Sequence, residues 1–284
     1  MTEKKYTICA FADEAGPSPS EQIRAMKDNG VELLEMRSVN GKNVTELTNE
    51  EVRDFRAQLD AAGIGVWAIG SPCGKHQISE PFGPQLDLLK RTIEIAQLAG
   101  AGRIRMFSFY GCDTSAAVRD EVMLRLSRYA EAARGSGVLL CHENEKGIYG
   151  DIASRCRDIL DSVPELGGVY DPANFLQCNQ DTLEAWALLH DRIDYFHIKD
   201  VKSDGTLVPA GMGAGRLPEL LTKYLAQGGR VMTLEPHLKV FSALASLEEQ
   251  GSRSAVDDHT YADSTSAFRA AADGLKNVLA SIGA

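Results

Sequence analysis

The chain alternates short runs of consecutive apolar residues with longer stretches in which apolar residues recur every three or four positions. The first pattern fits strands of a parallel sheet buried on both faces, the second the inward stripe of amphipathic helices. Strands are expected at 6–12, 31–36, 64–69, 103–107, 138–141, 168–171, 193–197 and 230–235. A first helix opens at Ser20, and a second is capped by Thr48 or Asn49 and places Val52, Phe55, Leu59 and Ala62 on one face. A third carries Leu86, Leu89, Ile93 and Ala96; the others are expected near 115–134, 151–162, 181–190, 217–227 and 265–282.

Strict alternation of eight strands with eight helices, joined by right-handed crossovers, closes a (β/α)₈ TIM barrel, whereas an open doubly wound sheet would more often stop at five or six strands. The chain reads as one such α/β domain over residues 1–284, a length typical of a single barrel. One connection is long, 237–263 between the last strand and the last helix, and over a barrel mouth such a loop reads as a lid.

Composition narrows the function classes. A formal net charge of −10 argues against a nucleic-acid-binding face, which needs a basic footprint. The N-terminus runs straight into the first strand without a signal-peptide pattern, and no apolar run is long enough to span a bilayer, so the expected compartment is cytoplasmic with no membrane partner. Six cysteines without CxxC spacing fit reduced, mostly buried thiols.

The chemistry lies where apolar runs turn polar. Four consecutive strands end in Glu143, Asp171, His197 and Glu235, and the C-terminal ends of barrel strands are where such folds keep their active sites. Each spacing matches one strand–helix repeat, the last lengthened by an inserted stretch, Lys199–Gly215. A single acid at a strand end is usually solvated or capping the next helix, as Asp171 before Pro172 could be; four in succession are harder to attribute to chance. Three carboxylates and an imidazole form a hard, oxygen-dominated set that suits Mn²⁺ or Mg²⁺, with Co²⁺ an alternative and Zn²⁺ less natural. Lys199 and His237, each two residues beyond a ligand, are candidates for substrate contact from the same rim, and Asn174, Lys75, Arg37 and Glu14 belong to that rim as well. His142, also a substrate-contact candidate, precedes Glu143, so pleat alternation turns it toward a packing or supporting role. Trp67 and Trp186 read as core, and Gly211-Met-Gly-Ala-Gly215 does not follow a strand into a helix as a dinucleotide-binding loop would.

His142-Glu-Asn-Glu-Lys146, Asp171-Pro-Ala-Asn-Phe175, His197-Ile-Lys-Asp200, Leu234-Glu-Pro-His237 and Phe11-Ala-Asp-Glu14 resemble the motifs of the sugar-phosphate isomerase/epimerase family, the xylose-isomerase-like group of TIM barrels. The resemblance implies a divalent metal, commonly Mn²⁺, held by Glu143, Asp171, His197 and Glu235, and a small carbohydrate substrate. It implies isomerisation or epimerisation through an enediolate, with Glu143 and Glu235 as the catalytic pair on either face of the reacting carbon. Two departures argue against hexulose 3-epimerisation: Asn174 and Ser203 stand where the ketose 3-epimerases of this group carry a histidine and an arginine. The rival readings are a lyase that eliminates from a keto-inositol or 3-keto-glycoside, a nuclease disfavoured by six histidines and an acidic chain, and a non-catalytic sugar-binding barrel. Exposed barrel helices make a homodimer the oligomer to expect.

Overall fold

The computed structural model describes residues 6–240, 256 and 260–284, and in it the eight apolar runs are eight parallel strands. They are β1 (Thr7–Ala10), β2 (Leu33–Met36), β3 (Gly65–Gly70), β4 (Arg103–Met106), β5 (Leu139–Glu143), β6 (Gly167–Tyr170), β7 (Ile193–Ile198) and β8 (Val231–Leu234). Each pairs with its chain neighbours, and β1 pairs with β8 from Thr7↔Val231 to Ala10↔Leu234, which closes a barrel. Closure leaves no sheet edge exposed.

The helices pack around this sheet: α1 (Pro19–Asp28), α2 (Asn49–Ala62), α3 (Phe82–Ala99), α4 (Ala116–Ala133), α5 (Ala153–Ser162), α6 (Pro172–Gln177), α7 (Thr182–Leu189), α8 (Leu217–Ala226) and α9 (Ser264–Ser281). The apolar stripes fall inward as the spacing requires: Val52, Phe55 and Leu59 of α2 are buried, as are Leu89, Ile93 and Ala96 of α3, while Ala62 and Leu86 sit at the margin. The first helix begins earlier than expected. Ser18, not Ser20, is its cap, because Pro19 suits the first helical position and Glu21 completes a capping box with Ser18. Thr48 caps α2 in the same way, with Glu51 as its partner. None of the helices among the described residues is long and apolar enough to cross a membrane. The stretch read as a lid, 237–263, lies mostly outside the described residues, at 241–255 and 257–259.

Three features absent from the alternating pattern shape the barrel mouth. A hairpin follows β2 (Ser38–Val39 with Lys42–Asn43), another follows β7 (Asp200–Val201 with Leu207–Val208), and the short α6 follows β6. The second hairpin explains the glycine-rich run. The Asp200 carboxylate accepts hydrogen bonds from the backbone N–H groups of Gly211, Gly213 and Gly215, which wrap it at 2.9–3.0 Å. A Cβ at Gly213 would stand 2.3 Å from Asp200 Oδ1 and 2.6 Å from the Val201 carbonyl oxygen, so the backbone can approach only without a side chain. The run holds the inserted stretch around Asp200, to which these three N–H groups are given.

Gly213→Ala is therefore expected to destabilise the fold by about 1–3 kcal/mol, the usual cost of forcing a methyl group into a packed site. Urea unfolding should show a lower midpoint with an unchanged slope; an unchanged midpoint would mean that the wrap around Asp200 contributes nothing to stability.

Candidate metal centre

The three acids and the imidazole expected at the strand ends meet. Glu143 is the last residue of β5, Asp171 and Glu235 each follow their strand by one position, and His197 lies within β7. One ligand atom from each of the four lies within 4.8 Å of the others, and all four residues are buried. His197 Nδ1 is 2.9 Å from Glu143 Oε1 and 3.2 Å from Glu235 Oε2. Asp171 has two tasks. As the cap of α6, its Oδ1 accepts the Asn174 backbone N–H at 2.9 Å, while its Oδ2 faces the cluster 2.9 Å from Lys199 Nζ. The capping role and the ligand role are compatible because a carboxylate has two oxygens.

These positions fit a divalent cation. Ligands across an ion with bonds of 2.0–2.6 Å stand about 4–5 Å apart, the spread seen here. Asp171 Oδ2 is fully buried without a hydrogen bond of good geometry, the state of an oxygen reserved for a cation. Burial pushes the Asp171 carboxyl up to about 7 against the pull of Lys199, with Glu143 and Glu235 pushing the same way. Burial opposes the charge of Lys199 and His197 too, yet the surrounding carboxylates hold both well above their ordinary values. Glu235 goes the other way: although buried, it is held low by Lys199 and His197. A metal-bound imidazole must give up the proton on the nitrogen that ligates, so a cation would replace the charge that His197 carries here.

Two further residues of the site sit inside strands and are not among the candidates named from the sequence. Glu35, in the middle of β2 and fully buried, accepts from Tyr195 Oη at 2.9 Å on Oε1 and pairs with His197 Nε2 at 3.1 Å through Oε2. A register irregularity between Leu34 and Glu35 in the pairing with β3 accompanies its inward position. Glu35 thus leaves Nδ1 as the nitrogen that faces the cluster, the carboxylate–histidine arrangement that orients metal-bound imidazoles. Arg105, from β4, lies with its Nε 3.1 Å from Glu143 Oε2 and 4.0 Å from Glu35 Oε1. The signal for both was charge inside a barrel strand, one residue in Leu33-Leu-Glu-Met36 and two in Arg103-Ile-Arg-Met106.

The rim candidates divide. Lys199 bridges Asp171 and Glu235, at 2.9 and 3.3 Å. His237 is brought to the cluster, its Nε2 3.4 Å from Glu14 Oε1 and 3.7 Å from Glu235 Oε1; burial pushes its imidazole well down, so it is neutral. Its left-handed backbone (φ 45°) is held by its N–H donating to Glu14 Oε2. Arg37 clamps Asp13, Glu14 and Glu235 at 3.0, 3.2 and 3.3 Å, and burial beside these acids pushes Glu14 up to about 8. Lys75 pairs with Glu145 at 3.2 Å above the Phe107 ring. Asn174 donates from Nδ2 to the Asn144 carbonyl at 2.9 Å and reaches Glu143 Oε1 at 3.5 Å, so its amide braces the ligands. His142 is turned away from them. Its Nε2 meets Ser108 Oγ at 2.9 Å, a Cβ on Gly150 would strike its ring, and burial pushes its imidazole down to about 3.

A family model described as xylose isomerase-like TIM barrel matches residues 23–250. None of the curated proteins matches the chain. Among solved structures, an L-ribulose 3-epimerase superposes with a TM-score of 0.75 at 17% identity, over 98% of this chain and 95% of that one. A probable 3-DHS dehydratase, AsbF of Bacillus anthracis, gives 0.74 at 16% over 97% and 99%. The IOLI protein, solved with a zinc atom, gives 0.74 at 13% over 97% and 99%. At these identities the likeness is one of fold.

Glu35→Gln should weaken divalent-metal binding by about 10–100-fold, the usual cost of losing such an orienting partner. The amide presents an NH₂ group to either Tyr195 or His197, both of which need an acceptor. Titration calorimetry with Mn²⁺ on folded variant protein measures the loss, and unchanged affinity would remove Glu35 from the metal's support.

Proposed function

The chain belongs to the xylose isomerase-like TIM barrel family, and from that premise we propose that it is a divalent-metal-dependent isomerase or epimerase of a keto sugar or related polyol. The observation that carries this reading is the convergence of two buried carboxylates, Glu143 and Glu235, on the point that His197 Nδ1 faces. They come from β5 and β8, with β6 and β7 between them, and so approach that point from different sides.

Glu143, Asp171, His197 and Glu235 would hold the ion, Mn²⁺ first by the hardness of the donor set, and when bound it would draw charge onto a substrate carbonyl oxygen. The proton next to that carbonyl is taken by whichever of Glu143 and Glu235 has an oxygen free to reach it. Return by the other carboxylate inverts the carbon; return to the neighbouring carbon exchanges ketone and aldehyde. Lys199, a buried cation in reach of Asp171 and Glu235, is placed to steady negative charge on a substrate oxygen. Burial of the cluster keeps water from competing for these charges.

The same proton removal beside a leaving group is a β-elimination, and Lys199 favours keeping that second reading, since an ammonium held at this point can protonate a departing oxygen. Product mass separates the two, because loss of water or of an aglycone is incompatible with isomerisation.

Glu143→Gln and Glu235→Gln are each expected to lower solvent-deuterium incorporation into a keto-sugar substrate by at least about 100-fold, the low end of what a positioned base contributes. Proton NMR in heavy water with Mn²⁺ reads the exchange; a variant that exchanges at the parent rate loses its assignment as base. Mn²⁺ at 100 times its Kd should also stabilise the parent protein by about 2.7 kcal/mol. A rise in Tm that EDTA reverses is the expected observation, and an unchanged Tm would count against the centre.

A further inference from the structure

Beyond the reaction type, the arrangement of charge at the mouth bears on which substrates can enter. The described residues place seven carboxylates in and around the cluster: Asp13, Glu14, Glu35, Glu143, Glu145, Asp171 and Glu235. Four of the cations among them stand within ion-pair distance of a carboxylate. Arg37 meets Asp13, Glu14 and Glu235; Arg105 meets Glu143; Lys199 meets Asp171 and Glu235; Lys75 meets Glu145. The fifth, Lys146, is half-buried beside Glu145 and donates from Nζ to Gln177 Oε1 at 3.3 Å. With all acids ionised and His197 protonated, seven negative charges face six positive ones, and a divalent ion that replaces the His197 proton would bring the balance only to zero.

Glu145 settles what the outermost cations are for. Its Oε2 lies 3.2 Å from Lys75 Nζ, with both side chains mostly buried. Two ammonium groups that could have gripped an incoming anion are thus turned on acids of the chain itself, Lys75 on Glu145 and Lys199 on Asp171 and Glu235. A phosphoryl group or second carboxylate on the substrate would have to displace a buried carboxylate from its partner, leaving that acid desolvated and unpaired. Hydroxyl groups meet no such barrier. They can donate to carboxylate oxygens and accept from ammonium groups without breaking the pairs.

Resting on the isomerase/epimerase reading above, we propose that this mouth selects uncharged polyhydroxy ketones and discriminates against their phosphorylated and carboxylated counterparts, with the Lys75–Glu145 pair as the specificity-determining contact. The phosphate ester is excluded because its counter-charge is already in use, and the pair offers both a donor and an acceptor to neutral hydroxyls.

The test pairs each free sugar with its phosphate: D-fructose with D-fructose 6-phosphate, and D-xylulose with D-xylulose 5-phosphate, with free keto-inositols added. The full chain is loaded with Mn²⁺, and deuterium exchange and calorimetric binding are followed in parallel. The uncharged member of a pair should exchange with a kcat/KM at least tenfold higher and bind at least tenfold tighter. Glu145→Gln, which releases Lys75, should narrow that gap by improving binding of the phosphorylated member. A phosphorylated member that binds or exchanges as well as its free partner overturns the charge selection while leaving the reaction type standing. Absence of exchange and of binding for every uncharged ketone overturns the functional reading, and the selection with it. An unchanged gap in Glu145→Gln, with the variant folded by circular dichroism, removes the pair from the specificity.

Discussion

Like charges crowded out of water are the constraint on which the site depends. Glu143, Asp171 and Glu235 converge in the barrel mouth at nearly zero exposure, and carboxylates in that position repel one another and lose their hydration together. Without a metal the chain meets that cost in two ways: Asp171 drifts toward holding a proton, and Lys199 and His197 are driven to keep theirs. A divalent ion offers a third way that makes these compensations unnecessary at the ligating atoms. The cluster stores, in its own repulsion, much of the free energy with which it would bind a cation.

Holding such groups together requires a frame that cannot relax. The closed barrel supplies it at the level of strands, and a lattice of side-chain to backbone bonds supplies it at the mouth. Asn144 exchanges two hydrogen bonds with the backbone of Asp171, each 2.9 Å, which fixes the end of β5 to the end of β6. Asn174 then ties α6 back to Asn144 and Glu143, and Asp171 caps the helix that carries Asn174. Glu143 and Asp171 are therefore each held by a residue from the other's segment. Arg37 does the same on the other side, spanning Asp13, Glu14 and Glu235 through one planar guanidinium that is 1% exposed. Removing any one partner of such a buried ion pair would typically cost about 3–5 kcal/mol, because the partner left behind stays charged and dry.

The parts of this design that the sequence discloses are those where a periodic pattern breaks. Apolar strands that end abruptly in Glu143, Asp171, His197 and Glu235 announce a site, because a charge following a buried run must be either solvated or used. Glu35 and Arg105 are harder to see for the opposite reason. They lie inside runs whose hydrophobic neighbours fix the strand, and nothing local says that two of eight strands carry a charge on their inner face. Only the closed topology, which sets β2 and β4 across the barrel from β7 and beside β5, brings them to His197 and Glu143. The hairpin built around Asp200 escaped for a related reason: its glycines answer to a carboxylate that stands 11–15 residues earlier, beyond the reach of any local turn rule.

The two departures from the ketose 3-epimerase pattern acquire a structural sense from the same geometry. Ser203, where the resemblance sets an arginine in ketose 3-epimerases, falls at the exposed turn of the hairpin after β7. Asn174, where they carry a histidine, spends its amide on Asn144 and Glu143 and is buried. An imidazole there would keep at most one of those contacts, since a neutral ring has a single N–H to donate. Asn174 thus serves the charged centre itself, whereas Ser203 stands apart from it on the turn. On the proposed reading, substrate would meet the rest of the rim, where Lys75 pairs with Glu145 and where Lys199 and His237 both approach Glu235.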